Sequence, residues 1–492
     1  MDELSELLKL RRQKLDELLK EGINPFPNDF RVTHTTQEIR DRCGGKEVEE
    51  LEKVDEEFSL AGRIISLRNF GKAAFLHLRD HKGMIQAYVQ KGVVNDNDFK
   101  VFSHLDIGDF LGIRGGVFLT RTQELTIKVH HLKLLTKSLR PLPEKWHGLT
   151  NIETRYRQRY LDLLVNPQVK ETFLRRTKII QMVRKFLQER DFIEVETPMM
   201  QPIPGGATAC PFKTHHNTFN LDLYLRISPE LYLKRLLVGG YERVFEINRN
   251  FRNEGISTHH NPEFTMLEFY QAYATYEDLM HLTEEMICHI TQQLLGSLTI
   301  SYLDRAINVT PPWQRMSMKQ ALLHYGKVAP HLLEEKELLF KHAHSLDLIV
   351  SPEDGLGTII NELFEKVVQP HLINPTFITS YPTEISPLAR RNETTPHEVD
   401  RFELFINGQE IANAFSELND PIDQKERLLT QLSLRTSEEE IGTLDEDFIQ
   451  ALEYGMPPAA GEGIGIDRLV MVLTNAASIR DVILFPLLKP ER

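Results

Sequence analysis

The stretch "FRNEGISTHHNPEF", Phe251 to Phe264, sets Arg252 and Glu254 two residues apart ahead of a turn with two adjacent histidines and a proline. In an extended strand, residues i and i+2 face the same way. The spacing therefore predicts that Arg252 and Glu254 share one face. Met266, Glu268 and Tyr270 share a face of the strand that follows. If "ISTHHNP" closes a hairpin-like loop, an arginine, two glutamates and a tyrosine meet in one cavity. A single Arg–Glu pair would read more simply as a salt bridge on an edge strand.

A second set lies in "FELFINGQEIANAFSEL". Asn407-Gly408 is a strong hairpin signal. With those two at the turn, Phe405 opposes Glu410 and Glu403 opposes Ala412. Glu403 and Glu410 become diagonal neighbours on one face. Two carboxylates that close repel unless a cation lies between them. Hard oxygen ligands of this kind suit Mg²⁺ shared with substrate phosphates. Asn413, Phe415 and Glu417 fall on the opposite face of an ideal strand, so joining them to the same site requires a bulge or strong twist between 410 and 413. In "GEGIGIDR", closely spaced glycines precede Arg468, which can hold a phosphate bidentately. Phosphate-binding arginines, metal-binding carboxylates and surplus acids together point to ATP chemistry without a phosphate-binding glycine loop.

These residues must be positioned by a chain of 492 residues, too long for one ordinary core. Three distant cysteines, Cys43, Cys210 and Cys288, argue against a disulfide framework or a zinc site and fit a reducing compartment. No apolar run approaches the ~20 residues of a membrane span. The start, "MDELSELLKL", is acidic and amphipathic, unlike a signal peptide. Net charge is −13, unusual for a nucleic-acid binder, but it is unevenly spread. Residues 60–145 carry 14 Lys and Arg against 7 Asp and Glu, whereas residues 149–492 carry 34 against 48. A basic module on an acidic body suits a protein that holds phosphates at one end and a cationic or metal-bound substrate at the other.

Leu4, Leu7, Leu8, Leu15, Leu18 and Leu19 predict an amphipathic N-terminal helix, with Lys9, Arg11, Arg12 and Lys14 on a face that is either solvated or touches RNA backbone. Residues 58–137 hold five short β-rich segments separated by turns, a pattern that suits an oligonucleotide-binding OB-type barrel. Phe70, Phe75 and Tyr88 lie among its basic residues and could stack on bases or fill the core. After a proline-bearing linker, elements of mixed order predict an α+β domain around an antiparallel sheet, with residues 272–370 mainly helical.

The Pro198 strand, "FRNEG…HHNPEF" and "GIGIDR" resemble motifs 1, 2 and 3 of class II aminoacyl-tRNA synthetases. "ISPELYLKRLLVGGYERVFEINRNFRNEG", "YPTEISPLARR" and "FINGQEIANAFSELND" are similar to the bacterial-type lysyl-tRNA synthetases, over nearly the whole chain. The resemblance implies three parts: an N-terminal helical extension (1–57), an OB-fold anticodon-binding β-barrel (58–145), and a class II catalytic domain (146–492) built on an antiparallel β-sheet flanked by helices, with a helical insertion at about 272–370. It implies ATP-dependent activation of L-lysine to lysyl-adenylate, then transfer to the 3′-terminal ribose of tRNA(Lys). It further implies a cytoplasmic homodimer that uses no membrane, and up to three Mg²⁺ ions per active site. Residue by residue, Arg252 and Arg468 would be catalytic. Glu254, His260, Asn261 and Phe264 would join them on ATP, with Phe264 and Arg468 sandwiching adenine. Gly206 and Glu230 would bind the lysine α-amino end, Arg252 its carboxylate, and Glu268, Tyr270, Asn413 and Glu417 its ε-ammonium. Glu403 and Glu410 would hold Mg²⁺. Arg68, Phe75, Gln86 and Glu124 would read the anticodon. Glu462 departs from the family, which has an apolar residue there. Two alternatives are a lysyl-transferring paralogue that modifies a translation factor and a non-catalytic tRNA-binding protein.

Overall fold

The computed structural model describes residues 2–143, 149–207, 209–433 and 443–491, with the backbone alone for residues 2–5. The chain forms two compact units, Met1–Gly148 and Leu149–Arg492. The expected domain boundary at 145/146 lies outside the described residues.

In the first unit, five strands close a barrel: Phe58–Asn69, Ala73–Arg79, Met84–Gln90, Phe110–Leu119 and Leu125–Thr136. Strict alternation drives the closure. Ala74, Leu76, Leu78, Ile85, Ala87 and Val89 all point inward and are fully buried, while Phe75, His77, Gln86 and Tyr88 are left outside. The long fourth and fifth strands bend at an irregularity between Arg114 and Gly115. A Cβ on Gly115 would lie 1.9 Å from the Lys128 carbonyl oxygen, so the bend requires glycine. A helix at Asp96–Ser103, capped by the Asn95 side chain, interrupts the strand sequence. The periodicity of the strands did not announce it.

The N-terminal helix Asp2–Lys20 forms as its leucine spacing predicts. Its basic face is not all solvated. Arg11 is buried and donates to the carbonyls of Ile107, Ser138 and Arg140. Lys14 pairs with Asp106 at 2.7 Å. These two cations hold the helix to its own unit rather than offering charge to a partner.

The second unit is α+β. Its main sheet has eight strands, in spatial order Gln314–Ser317, Thr376–Pro382, Glu398–Ile406, Gln409–Ser416, Ala459–Gly465, Glu263–Ala272, Arg243–Phe251 and Ile193–Glu194. Neighbours are antiparallel except for a parallel pair at each edge. One face is apolar. Leu267, Phe269, Ala412, Ala414 and Ile464 pack there against the helices Pro167–Gln188, Tyr276–Leu295 and Ile466–Thr474. The alternate residues, Met266, Glu268, Tyr270, Asn413 and Phe415, face a cavity on the other side. Residues 272–370 contain helices but also the hairpin Thr299–Tyr302/Arg305–Asn308 and the edge strand Gln314–Ser317, which are more strand than expected.

Candidate active site and nucleic-acid interface

A cavity of about 470 Å³ lies over the polar face of the sheet. Its lining includes Gly206, Glu230, Arg252, Glu254, His260, Asn261, Phe264, Glu268, Tyr270, Glu410, Asn413 and Arg468. Twelve of the fourteen residues expected in this site therefore meet in one place. Glu403 and Glu417 stand behind the lining, Glu417 against the fully buried Lys234 and Glu403 against the partly buried Arg401.

The floor is the strand Ala459–Gly465. Gly461 and Gly463 are needed because larger neighbours lean over them. A Cβ on Gly461 would fall 2.3 Å from both Tyr270 Cε1 and Glu417 Oε1, and one on Gly463 would fall 2.6 Å from Met266 Cε. Gly206 closes another wall at φ +85°, where an added Cβ would lie 3.0 Å from both Ser228 Oγ and Glu230 Cβ.

Two corrections follow at the strand ends. The strand Arg243–Phe251 stops before Arg252, so Arg252 and Glu254 sit on the connecting loop, not on a strand face. The Arg252 backbone N–H donates to Pro262 O, which pins the loop's two ends together. Its guanidinium lies 5.1 Å from the centre of the Phe264 ring, and its Nε is buried without a partner. The second correction concerns register. Asn407 and Gly408 form the turn, both at left-handed φ (50° and 70°), and Phe405 opposes Glu410 as expected. Glu403, however, opposes Asn413 rather than Ala412. The cause is a bulge: Ile411 and Ala412 both turn into the apolar core. The extra residue puts Glu410 and Asn413 on the same face despite their odd separation.

At the amino-acid end, three carboxylates are buried together. Glu268 accepts from Ser228 Oγ at 2.9 Å and Tyr270 Oη at 3.1 Å. Burial, then the charge of Glu230, pushes Glu268 up to about 8. Burial likewise pushes Glu417 up to about 8, against the pull of Lys234, whose Nζ lies 2.5 Å away. Neither Glu417 oxygen has a well-directed hydrogen bond. Lys234 also donates to Glu230 at 2.7 Å and is itself fully buried. The sequence reading missed Lys234. Its signal was the i,i+4 spacing from Glu230 on the helix Glu230–Val238, a spacing that ordinarily marks an exposed pair.

At the phosphate end, Arg468 lies in the first turn of the helix Ile466–Thr474 that follows the floor strand. Asp467 fixes that turn by pairing with Arg176 at 2.6 Å and accepting from Thr265 N at 2.7 Å. Arg468 donates to Glu410 O at 2.7 Å and approaches His260 Nε2 at 3.2 Å. Burial, then Arg468, holds His260 below the usual imidazole range, so near neutral pH it is an uncharged partner. Glu403 is pushed up to about 7 by burial and by Glu410. Arg401, also missed from sequence, ties the two ends together: it contacts Glu403 at 2.6 Å, Ser386 at 2.8 Å and Asn413 at 3.1 Å.

Glu462 points away from these groups. Its carboxyl is buried and accepts from Thr283 Oγ1 of the helix Tyr276–Leu295 at 2.6–2.7 Å. Burial raises its pKa well above the carboxylate range.

On the barrel, the expected quartet also assembles. Arg68 pairs across the sheet with Phe75. Phe75 stands 4.8 Å from Tyr88, and the largely exposed Phe70 is 6.5 Å from it. Gln86 donates to Glu124 at 2.8 Å, and His77, not singled out from sequence, contacts Glu124 at 3.1 Å. The result is an aromatic and polar face with stacking surfaces beside hydrogen-bonding groups.

Residues 151–489 match the family of class II tRNA synthetases (D, K and N), and residues 58–135 match the OB-fold nucleic acid binding domain. The lysine–tRNA ligase of Pelotomaculum thermopropionicum is 56% identical over 493 residues, covering 100% of this chain and 96% of that protein. That of Carboxydothermus hydrogenoformans is 55% identical, covering 99% of each. That of Bacillus cereus is 52% identical, covering 100% of this chain and 99% of that protein. With an OB barrel ahead of a class II sheet and full-length identity above one half, the chain belongs to the class II tRNA synthetases and, among them, to the lysine–tRNA ligases.

Proposed function

We propose that the cavity binds L-lysine and ATP side by side, joins them as lysyl-adenylate, and then passes lysine to tRNA(Lys), the substrate class named for its relatives. The observation that carries this reading is the group of three buried carboxylates, Glu230, Glu268 and Glu417, with Glu417 lacking directed donors. Such a site suits a guest with ammonium groups and strongly rejects neutral isosteres, which would leave buried acids unpaired.

In this reading Glu268, Tyr270, Asn413 and Glu417 receive the ε-ammonium, and Gly206 and Glu230 the α-ammonium. Arg252 spans a carboxylate oxygen of lysine and an α-phosphate oxygen with its planar fork. Its unpaired Nε fits that task. Glu254 takes the adenine amino group, Phe264 and Arg468 flank the ring, and His260 with Asn261 faces the triphosphate. The lysine carboxylate, already ionised, attacks the α-phosphorus; a new O–P bond forms as pyrophosphate leaves. No general base is needed, so positioning and charge neutralisation supply the acceleration. In the second step a ribose hydroxyl of the tRNA 3′ end attacks the carbonyl carbon, and AMP departs.

Glu403 and Glu410 fit a shared Mg²⁺: burial first, and then the charge of Glu410, raises Glu403, and a cation between the two would relieve that repulsion. With no third acidic, His or Cys ligand grouped there among the described residues, substrate phosphates would supply further oxygens to the ion. Bound there, the ion would neutralise charge on the triphosphate. Arg68, Phe75, Gln86 and Glu124 hold the anticodon on the barrel. A cytoplasmic homodimer and the three-part division at 57/58 and 145/146 with its 272–370 insertion complete the proposal. Among the described residues no helix is long and apolar enough to cross a membrane.

ATP–pyrophosphate exchange tests the reading. It should depend on lysine and not on aspartate or asparagine, and charging of tRNA(Lys) should follow. Exchange without charging would favour the translation-factor paralogue; neither activity would favour a binding protein.

A further inference from the structure

Among the described ionisable groups of this cluster, Lys234 has no task in the reaction. It is fully buried, and its Nζ lies between Glu230 at 2.7 Å and Glu417 at 2.5 Å, with the Phe415 ring 5.4 Å away. A solvated lysine gains little from such a pair, whereas a buried one must be paid for by its partners. The groups facing it can be counted. Its partners are Glu230 from the same helix and Glu417 from just past the strand Gln409–Ser416, and Glu268, from the strand Glu263–Ala272, adds its charge to the surroundings of Glu417. The nearby guanidiniums are already matched: Arg226 pairs with buried Glu246 at 2.7 Å, and Arg401 with Glu403 at 2.6 Å.

Three carboxylates and one ammonium remain. We infer that Lys234 is a built-in counter-ion that positions Glu230 and Glu417 and leaves the pocket short of two positive charges, the number that the α- and ε-ammoniums of free lysine supply. The inference rests on the lysine-pocket reading and deepens it. Lys234 is a positioning and specificity-determining residue; it does not touch the reacting atoms. Without it the same acids would be short of three cations and would hold protons instead.

The titration of the cluster is consistent with this count. Glu268 and Glu417 are both shifted up, and Lys234 is shifted up as well, because the pull of Glu230 and Glu417 outweighs its burial. The proton in the Lys234 cluster therefore belongs on the amine, and the surplus acids take up protons until lysine displaces them.

The test compares full-length wild type with Lys234→Met and Lys234→Arg in lysine-dependent pyrophosphate exchange across pH 6.5–9.5. Lys234→Met should raise KM for lysine about tenfold or more at pH 7.5, leave KM for ATP within about twofold, and move the midpoint of the lysine kcat/KM profile up by about one pH unit. Lys234→Arg, which keeps the charge, should recover part of the midpoint shift. Should Lys234→Met fail to fold, calorimetry of lysine binding to wild type in buffers of different ionisation enthalpy decides: at pH 7 it should release on the order of one proton. An unchanged lysine KM and pH profile, equal losses for lysine and ATP, or binding of lysine without proton release would overturn the inference. Wild type that shows no lysine-dependent exchange would instead overturn the reading on which it rests.

Discussion

Each buried acid in the pocket is held by something definite. Glu268 has two hydroxyl donors, Glu230 has Lys234, and Glu417 has Lys234 and an unused capacity for a further donor. Glu417→Gln should therefore raise KM for lysine about 10- to 100-fold, the range expected when a charge-assisted hydrogen bond is lost, with KM for ATP nearly constant. An unchanged lysine KM would separate Glu417 from the ε-ammonium. The same residues set a pH dependence. Burial, with neighbouring acids, pushes Glu268 and Glu417 up to about 8, and an ammonium guest needs them ionised. Wild-type kcat/KM for lysine should thus climb between pH 7 and about 8.5, before the guest's own amines deprotonate; a profile flat over that interval would contradict the raised carboxylates. Residue types and two-residue spacing were enough to place Glu268 with Tyr270, and the family resemblance supplied the remaining expected contacts. Lys234 and Arg401 were not legible, because a cation beside an acid on a helix or strand reads as surface until burial is known.

Among elements, the floor strand Ala459–Gly465 serves both faces of the sheet. Its glycines make room for Tyr270 and Met266, while Glu462 and Ile464 face the core. Burial in that core keeps Glu462 protonated, so the native state binds a proton that the unfolded chain releases above its ordinary carboxyl range. Stability attributable to Glu462 is consequently lost as pH rises. Glu462→Leu should raise Tm by a few degrees at pH 8, on the order of 1–2 kcal/mol, and by less at pH 5. Calorimetric scans at the two pH values would show it; a gain equal at both would mean that Glu462 is not neutral in the fold. The strand ends were the least legible feature. Nothing in the spacing says that Arg243–Phe251 stops one residue before Arg252, or that Ile411 turns inward so that Glu403 meets Asn413. Such bulges are fixed by packing of the apolar face. The requirement for one between 410 and 413 could be read from the functional residues, but its consequence for Glu403 could not.

At the scale of the whole chain, each unit carries its own chemistry. Among the described residues, those lining the cavity belong to Leu149–Arg492, and the aromatic face belongs to Met1–Gly148. The uneven charge of the sequence foreshadowed that division, and five alternating segments gave the barrel. Phe75→Ala should weaken charging of tRNA(Lys) by roughly one to two orders of magnitude, the value of one stacked base, and leave pyrophosphate exchange near normal. Equal losses in the two assays would contradict that separation. The central claim concerns the acids that surround a guest amine, and a crystal structure with bound L-lysine and an ATP analogue tests it most directly. The account predicts the ε-ammonium within hydrogen-bonding distance of Glu268 and Glu417, the α-ammonium beside Glu230, and Arg252 between the lysine carboxylate and the α-phosphate. Lysine bound with its ammonium groups away from these carboxylates, or a cavity that takes an acidic amino acid in its place, would contradict it.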